Sequence, residues 1–144
     1  MRKITIFLLL TLALAACGAE QAAPSAQSSE PVADGAVLIE IISLDHSPIR
    51  PVVQDVQDVA AEFGDKVTVQ ATNFDTPEGD ALAEERSLEE HTPIAIYVNG
   101  EIEFEVDGRS IKFYSFPQGE GTGVVAEGVW TMDDLRTVLE QATQ

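Results

Sequence analysis

The first apolar run in this chain is too short to cross a membrane, and it stops at the chain's only cysteine. Ile4 to Leu14 is apolar apart from Thr5 and Thr11, whereas a bilayer-spanning helix needs about 20 consecutive apolar residues. Arg2 and Lys3 place positive charge ahead of the run. A basic start, a short apolar stretch and small residues behind it read as a secretion leader over residues 1–16. Cys17 constrains the rest of the chain, because a lone cysteine forms no internal disulfide. Any fold after it must stand on an apolar core.

The residues that end the leader are Leu14-Ala15-Ala16-Cys17. This segment resembles the bacterial lipobox, in which a small residue precedes a cysteine that is acylated and becomes the new N-terminus. The resemblance implies a lipoprotein with a diacylglyceryl group on Cys17, often joined by a third (palmitate-type) chain. Two or more chains hold stably in a membrane where one does not. The other reading is an ordinary leader cut nearby, leaving a free thiol. Gly18 follows Cys17 where an aspartate commonly favours inner-membrane retention, so the expectation leans to the outer membrane. The protein is expected at the cell or outer membrane, facing periplasm or exterior.

Residues 17–35 then form the lipidated cysteine and a linker. Gly18 to Asp34 is Ala, Ser, Gln and Pro with no hydrophobic period. As a coil it spans roughly 20–25 Å. Residues 36–144 remain for one domain with one core. Removal of Arg2 and Lys3 leaves six basic residues against 25 acidic ones, a net charge of −19. Such a field repels nucleic acid and anionic headgroups, so no nucleic-acid partner is expected. A cation or a basic protein surface is compatible, and acidity also keeps an exported domain soluble.

The domain alternates strand and helix signals. Ala36 to Ser43 is nearly continuous β-branched sequence, as in a strand covered on both faces. The apolar residues from Pro51 to Phe63 fall at helical spacing, with Gly64 as a stop. Val67, Val69 and Ala71 alternate in a strand over Lys66 to Thr72. Thr76 and Pro77 open an acidic helix as N-cap and first residue, running to about Leu88. Pro93 to Val98 is a third strand. Asn99-Gly100 is a hairpin turn from which Glu101 to Val106 pairs back, and Asp107-Gly108 is a second such turn leading into Arg109 to Phe116. Gly119 to Gly123 has the glycines of a phosphate loop but no lysine and no helix behind it, and reads as a hairpin loop. Thr131 with Asp134 caps the last helix, Trp130 and Leu135 staple it, and Leu135, Val138, Leu139 and Ala142 form its stripe.

The order β-α-β-α-β-β-β-α brings a family into view. His46-Ser47-Pro48-Ile49 at a helix start, followed by Arg50, and Thr92-Pro93 entering a strand before an Asn-Gly hairpin resemble the thioredoxin family over Val37 to about Val106. The resemblance implies a thioredoxin-like α/β fold: a central mixed sheet flanked by helices, with an extra β-hairpin region before the C-terminal helix. It implies that His46-Ser47-Pro48-Ile49 stands in the place of Cys-X-Pro-Cys, and that Thr92-Pro93 matches the family's cis-proline. Both motif cysteines are missing, the usual helix-kinking proline is absent at Gln54, and the loop before Pro93 is one residue longer. Thiol–disulfide exchange needs a thiolate, so no oxidoreductase activity is expected unless a partner supplies cysteines.

Three occupants suit the degenerate corner. His46 and His91 with Asp45, Glu89 or Glu90 are plausible zinc or copper ligands; alternatively His46 flanks a helix start and His91 is a solvated loop residue. Ser47 beside His46 is adjacency rather than triad geometry, and Ser47 before Pro48 is a natural N-cap, so no catalytic residue is assigned. Finally, an apolar patch of Ile49, Pro93 and Ile94 would hold an extended peptide by strand addition. This last expectation makes the chain a lipid-anchored binding or scaffold module for an envelope protein or peptide.

Overall fold

The computed structural model describes residues 35–118 and 130–144. The leader, the linker up to Asp34 and the Gly119 to Gly123 loop lie outside those residues. The described elements are β1 (Val37–Ser43), α1 (Arg50–Ala61), a 3-10 turn (Gly64–Lys66), β2 (Val67–Asn73), α2 (Pro77–Glu85), β3 (Ile94–Val98), β4 (Glu103–Val106), β5 (Arg109–Lys112) and α3 (Met132–Ala142).

The sheet has the order β2-β1-β3. β2 runs parallel to β1 from Val37 opposite Val67 to Ser43 opposite Asn73, and β3 runs antiparallel on the other side. Alternate residues of a strand point to opposite faces, and the core divides accordingly. Ile39, Ile41, Ile94 and Ile96 pack with Val52, Val56 and Val59 of α1 and with Leu135, Val138 and Leu139 of α3. Ile42, Ala95 and Tyr97 of the other face pack with Leu82 and Leu88. The molecule is therefore a mixed α/β domain with helices on both faces of a mixed sheet.

The first hairpin departs from expectation, while the second, at Asp107-Gly108, forms. Asn99 and Gly100 take φ of 51° and 85° and Asp107 and Gly108 take 52° and 74°, as two-residue turns of this type require. After the first turn, however, only Glu101 bridges back to Val98. β4 pairs with β5 instead. The residues beyond β5 slip in beside β3: the Ile96 N–H donates to the Phe113 carbonyl at 3.0 Å, and the Phe113 N–H to the Ile102 carbonyl at 3.0 Å. Phe113 is fully buried, with Trp130 edge-on to it at 5.4 Å. Burying that pair outweighs direct pairing of Glu101 to Val106 with β3.

The caps divide similarly. Thr76 accepts from the Gly79 N–H, and Thr131 and Asp134 form a full capping box. Helix α2 stops at Glu85 rather than Leu88, because Ser87 turns left-handed at φ 55°. Its N–H donates to the Glu84 carbonyl and that of Leu88 to the Ala83 carbonyl, which is a Schellman ending that turns Leu88 onto the core. Ser47 does not cap α1. The N–H groups of Ile49 and Arg50 both donate to the His46 carbonyl at 2.9 and 3.1 Å, so residues 46–49 close a turn first. The helix begins behind it with Pro51 in its first turn. Ala142 is exposed, so the buried stripe of α3 ends at Leu139.

Candidate functional site

Two loops meet where β1 ends and β3 begins. Ser43 lies opposite Ile94 in the ladder, and the Leu44 N–H donates to the Pro93 carbonyl at 3.1 Å. The turn of His46-Ser47-Pro48-Ile49 and the Thr92-Pro93 segment thus come to the same end of the sheet. Topology alone requires this, since one leaves β1 and the other enters the antiparallel β3 at that end.

The chemistry of the corner is structural. Ile49 is 3 % exposed and Ile94 is fully buried, so the patch expected from Ile49, Pro93 and Ile94 is not on the surface. Both isoleucines belong to the main core beneath α1. Thr92 is 2 % exposed. Its N–H and its hydroxyl both donate to the Glu89 carbonyl, at 3.1 and 2.7 Å, and its oxygen lies 3.0 Å from the Tyr114 hydroxyl. That backbone N–H is already committed and is not offered to a peptide.

The Thr92-Pro93 bond is trans, as is every peptide bond among the described residues, which corrects the cis-proline expected there. The reversal that a cis bond would supply is made one residue earlier, where His91 adopts φ 65°. Trans is also the lower-energy isomer of an X-Pro bond by about 0.5–1 kcal/mol.

Both histidines are exposed. His46 is exposed and its Nε2 stands 3.8 Å from Asp75 Oδ2. Asp45 is engaged by Arg50 Nε at 2.5 Å, and the guanidinium holds its carboxyl below the ordinary carboxylate value. His91 is a solvated loop residue. Among the described residues, no three His, Cys, Asp or Glu side chains gather as metal ligands do. A shallow recess of about 320 Å³ lies at the other end of the sheet, lined in part by Gly35, Lys66 and Thr143.

Sequence reasoning missed a polar group inside the fold. Arg86 Nη2 donates to Glu40 Oε2 at 2.9 Å, and its guanidinium sits 4.9 Å from the centre of the Tyr97 ring. Burial pushes the Tyr97 hydroxyl up, opposed by the nearby Arg86 charge. The available signal was Glu40 itself, a lone acid in an otherwise apolar strand.

Compared with protein-family models, curated proteins and solved structures, the chain gives no match in any of the three. The class is therefore the one its own geometry defines, a mixed α/β domain. Among the described residues, no helix is long and apolar enough to cross a membrane.

Proposed function

We propose that this chain is a lipid-anchored lipoprotein of the cell envelope whose domain is thioredoxin-like, redox-inactive and used for binding. The reading of the fold is supported by the strand order β2-β1-β3 with β1 and β2 parallel and β3 antiparallel. α1 and α3 on one face, α2 on the other and a β4–β5 hairpin before the last helix agree with it. The observation that carries the functional reading is the corner itself. Where the family holds its reactive pair, His46 is exposed and Ile49 is sealed in the core. A thiol-free corner closed by its own hydrogen bonds leaves the domain to act through its surfaces.

Cys17 then belongs to the anchor. Acylation takes the only sulfur nucleophile of the chain out of exchange chemistry. Metabolic labelling with radioactive palmitate tests the reading. The wild-type chain should take up label and sediment with membranes, and Cys17→Ser should lose both. Label that survives Cys17→Ser contradicts the anchor. The domain should also fail to reduce insulin disulfides.

A further inference from the structure

Two turns of this domain carry the same dipeptide pattern on the same backbone. Asn99-Gly100 and Asp107-Gly108 both run left-handed, at φ of 51° and 85° and of 52° and 74°. An asparagine or aspartate before glycine is chemically labile, because the glycine nitrogen has no neighbouring side chain to shield it. That nitrogen attacks the side-chain carbonyl carbon and closes a five-membered imide. Asparagine expels ammonia in this step and aspartate expels water. Water then opens the imide at either carbonyl, giving aspartate or its isomer isoaspartate, in which the main chain runs through the side-chain carbon. The sequence of steps needs no oxidant, reductant or cofactor.

The two turns differ in what holds the reacting side chain. Asn99 Oδ1 accepts from the Leu38 N–H at 2.9 Å, and the Asn99 N–H donates to the Leu38 carbonyl at 2.8 Å. The side-chain oxygen thus makes the bond that a main-chain carbonyl makes in a regular antiparallel pair. The turn is closed behind it by two bonds between Val98 and Glu101, at 2.8 and 3.1 Å. Swinging the Asn99 side chain onto the Gly100 nitrogen therefore means opening the end of β1, the central strand. Arg86 also lies near Gly100, with Nη1 3.9 Å from where a Cβ would stand. Asp107 has no such tie. It is exposed, no side-chain hydrogen bond or ion pair engages its carboxylate among the described residues, and the nearby Arg109 is turned to Asp134 instead. Gly108 is exposed, with nothing within 4 Å of the position of a Cβ. Its turn joins only β4 and β5, a two-stranded sheet of their own. Segments with few buried contacts open at low cost in free energy.

We infer that Asp107 is a site of spontaneous isoaspartate formation in the folded protein, and that Leu38 protects Asn99. Asparagine is the more reactive residue type, since a neutral amide is attacked more readily than a carboxylate, so the protection is the fold's own. The Gly108 nitrogen closes the imide on Asp107 Cγ, water leaves, and a second water opens the ring. The product adds one carbon to the main chain between Val106 and Arg109, the pair that closes the hairpin. It leaves a free carboxylate on what was the main-chain carbonyl carbon. Arg109 carries the change inward, since its guanidinium holds Asp134 at the start of α3 at 2.6 Å. The inference depends neither on the lipid nor on a binding partner.

Incubation of the full chain, purified in detergent, in water enriched in heavy oxygen tests this. Opening of the imide writes heavy oxygen into the residue, so peptide mass spectrometry reads each site separately. In the folded wild-type chain the peptide holding Asp107 should gain the label, and its isoaspartate form should resist a protease that cuts before aspartate. Asp107→Asn then puts the same dipeptide in both turns, and asparagine suits this turn type. In that folded variant position 107 should lose its amide roughly tenfold or more faster than Asn99, because two hydrogen bonds to Leu38 must open before Asn99 reacts. In urea the two positions should react at similar rates. Equal loss at both positions in the folded variant overturns the inference. So does a folded wild-type chain whose Asp107 takes up no heavy oxygen over a period in which the urea-unfolded chain does. If Asp107→Asn does not fold, the wild-type labelling decides alone. Label at Asp107 is indifferent to the state of Cys17, so failure here is distinct from failure of the anchor.

Discussion

The hydroxyls of Thr92 and Tyr114 lie 3.0 Å apart, joining the loop before β3 to the segment that follows β5. Thr92 is buried and Tyr114 partly so. Removing one hydroxyl leaves the other without that partner. Tyr114→Phe should therefore cost about 1 kcal/mol in denaturant unfolding. Thr92→Arg places a charge in a closed space and should cost more than about 3 kcal/mol. Such a variant reports on folding, so a Thr92→Arg chain with wild-type stability would show the loop to be open.

Gly79 stands against the backbone of Asn73. A Cβ at that position would lie 1.9 Å from the Asn73 carbonyl oxygen and 2.6 Å from its carbon. Backbone cannot rotate aside as a side chain can. Gly79→Ala should cost about 3 kcal/mol or more, although alanine is the better helix former. Gly64 is the contrast. It has open space but a φ of +58°, so Gly64→Ala should cost only about 1–2 kcal/mol. Thermal unfolding of the two variants should separate them in that order.

Asp134 holds the start of α3 in two ways, from a buried position. It completes the capping box with Thr131, receives Arg109 Nη2 at 2.6 Å and is only 4 % exposed. Asp134→Ala should cost about 2–3 kcal/mol, combining a lost cap with a lost charge-assisted bond. Arg109→Ala should cost about 1 kcal/mol or less, since the arginine is more than half exposed. Equal losses in the two variants would contradict this ranking.

Arg136 and Glu62 link α3 to the end of α1. The guanidinium donates through Nε and Nη2 to the two carboxylate oxygens, both at 2.9 Å. This holds the Glu62 carboxyl below its ordinary value of 4.5. A carboxyl lowered in the folded state stabilises it above the unfolded value, and the contribution is lost as pH falls through the folded one. The free energy of unfolding should thus decline as pH falls below about 4.5, and Glu62→Gln should flatten that decline. An unchanged slope would remove the pair from the acid response.

Much of this fold was legible in local pattern. β1 was readable because Val37 to Ser43 is β-branched and apolar, and α3 because Thr131, Asp134 and the Leu135, Val138, Leu139 stripe all point to one helix. The corner was legible in place but not in character. That His46 and Pro93 end up at one end of the sheet follows from element order. Whether Ile49 faces solvent or core depends on how α1 seats on the sheet, which no local pattern states. The trans bond at Pro93 was hidden for a similar reason: the turn is made by His91, an ordinary residue in a left-handed conformation. The β4–β5 hairpin was legible in the Asp107-Gly108 turn, whereas the failure of Glu101 to Val106 to pair with β3 was not, because both of its neighbours carry good turn signals. The choice rests on burying Phe113 against Trp130, far away in sequence.

The proposed anchor uses the chain's one sulfur nucleophile and would leave the domain without a thiol for redox chemistry. Mass spectrometry of the protein isolated from membranes tests that most directly. The mature chain should begin at Cys17, carry a diacylglyceryl mass on that residue and have no thiol that reacts with an alkylating reagent. A mature chain beginning elsewhere, or one whose Cys17 is a free, alkylatable thiol, would contradict it.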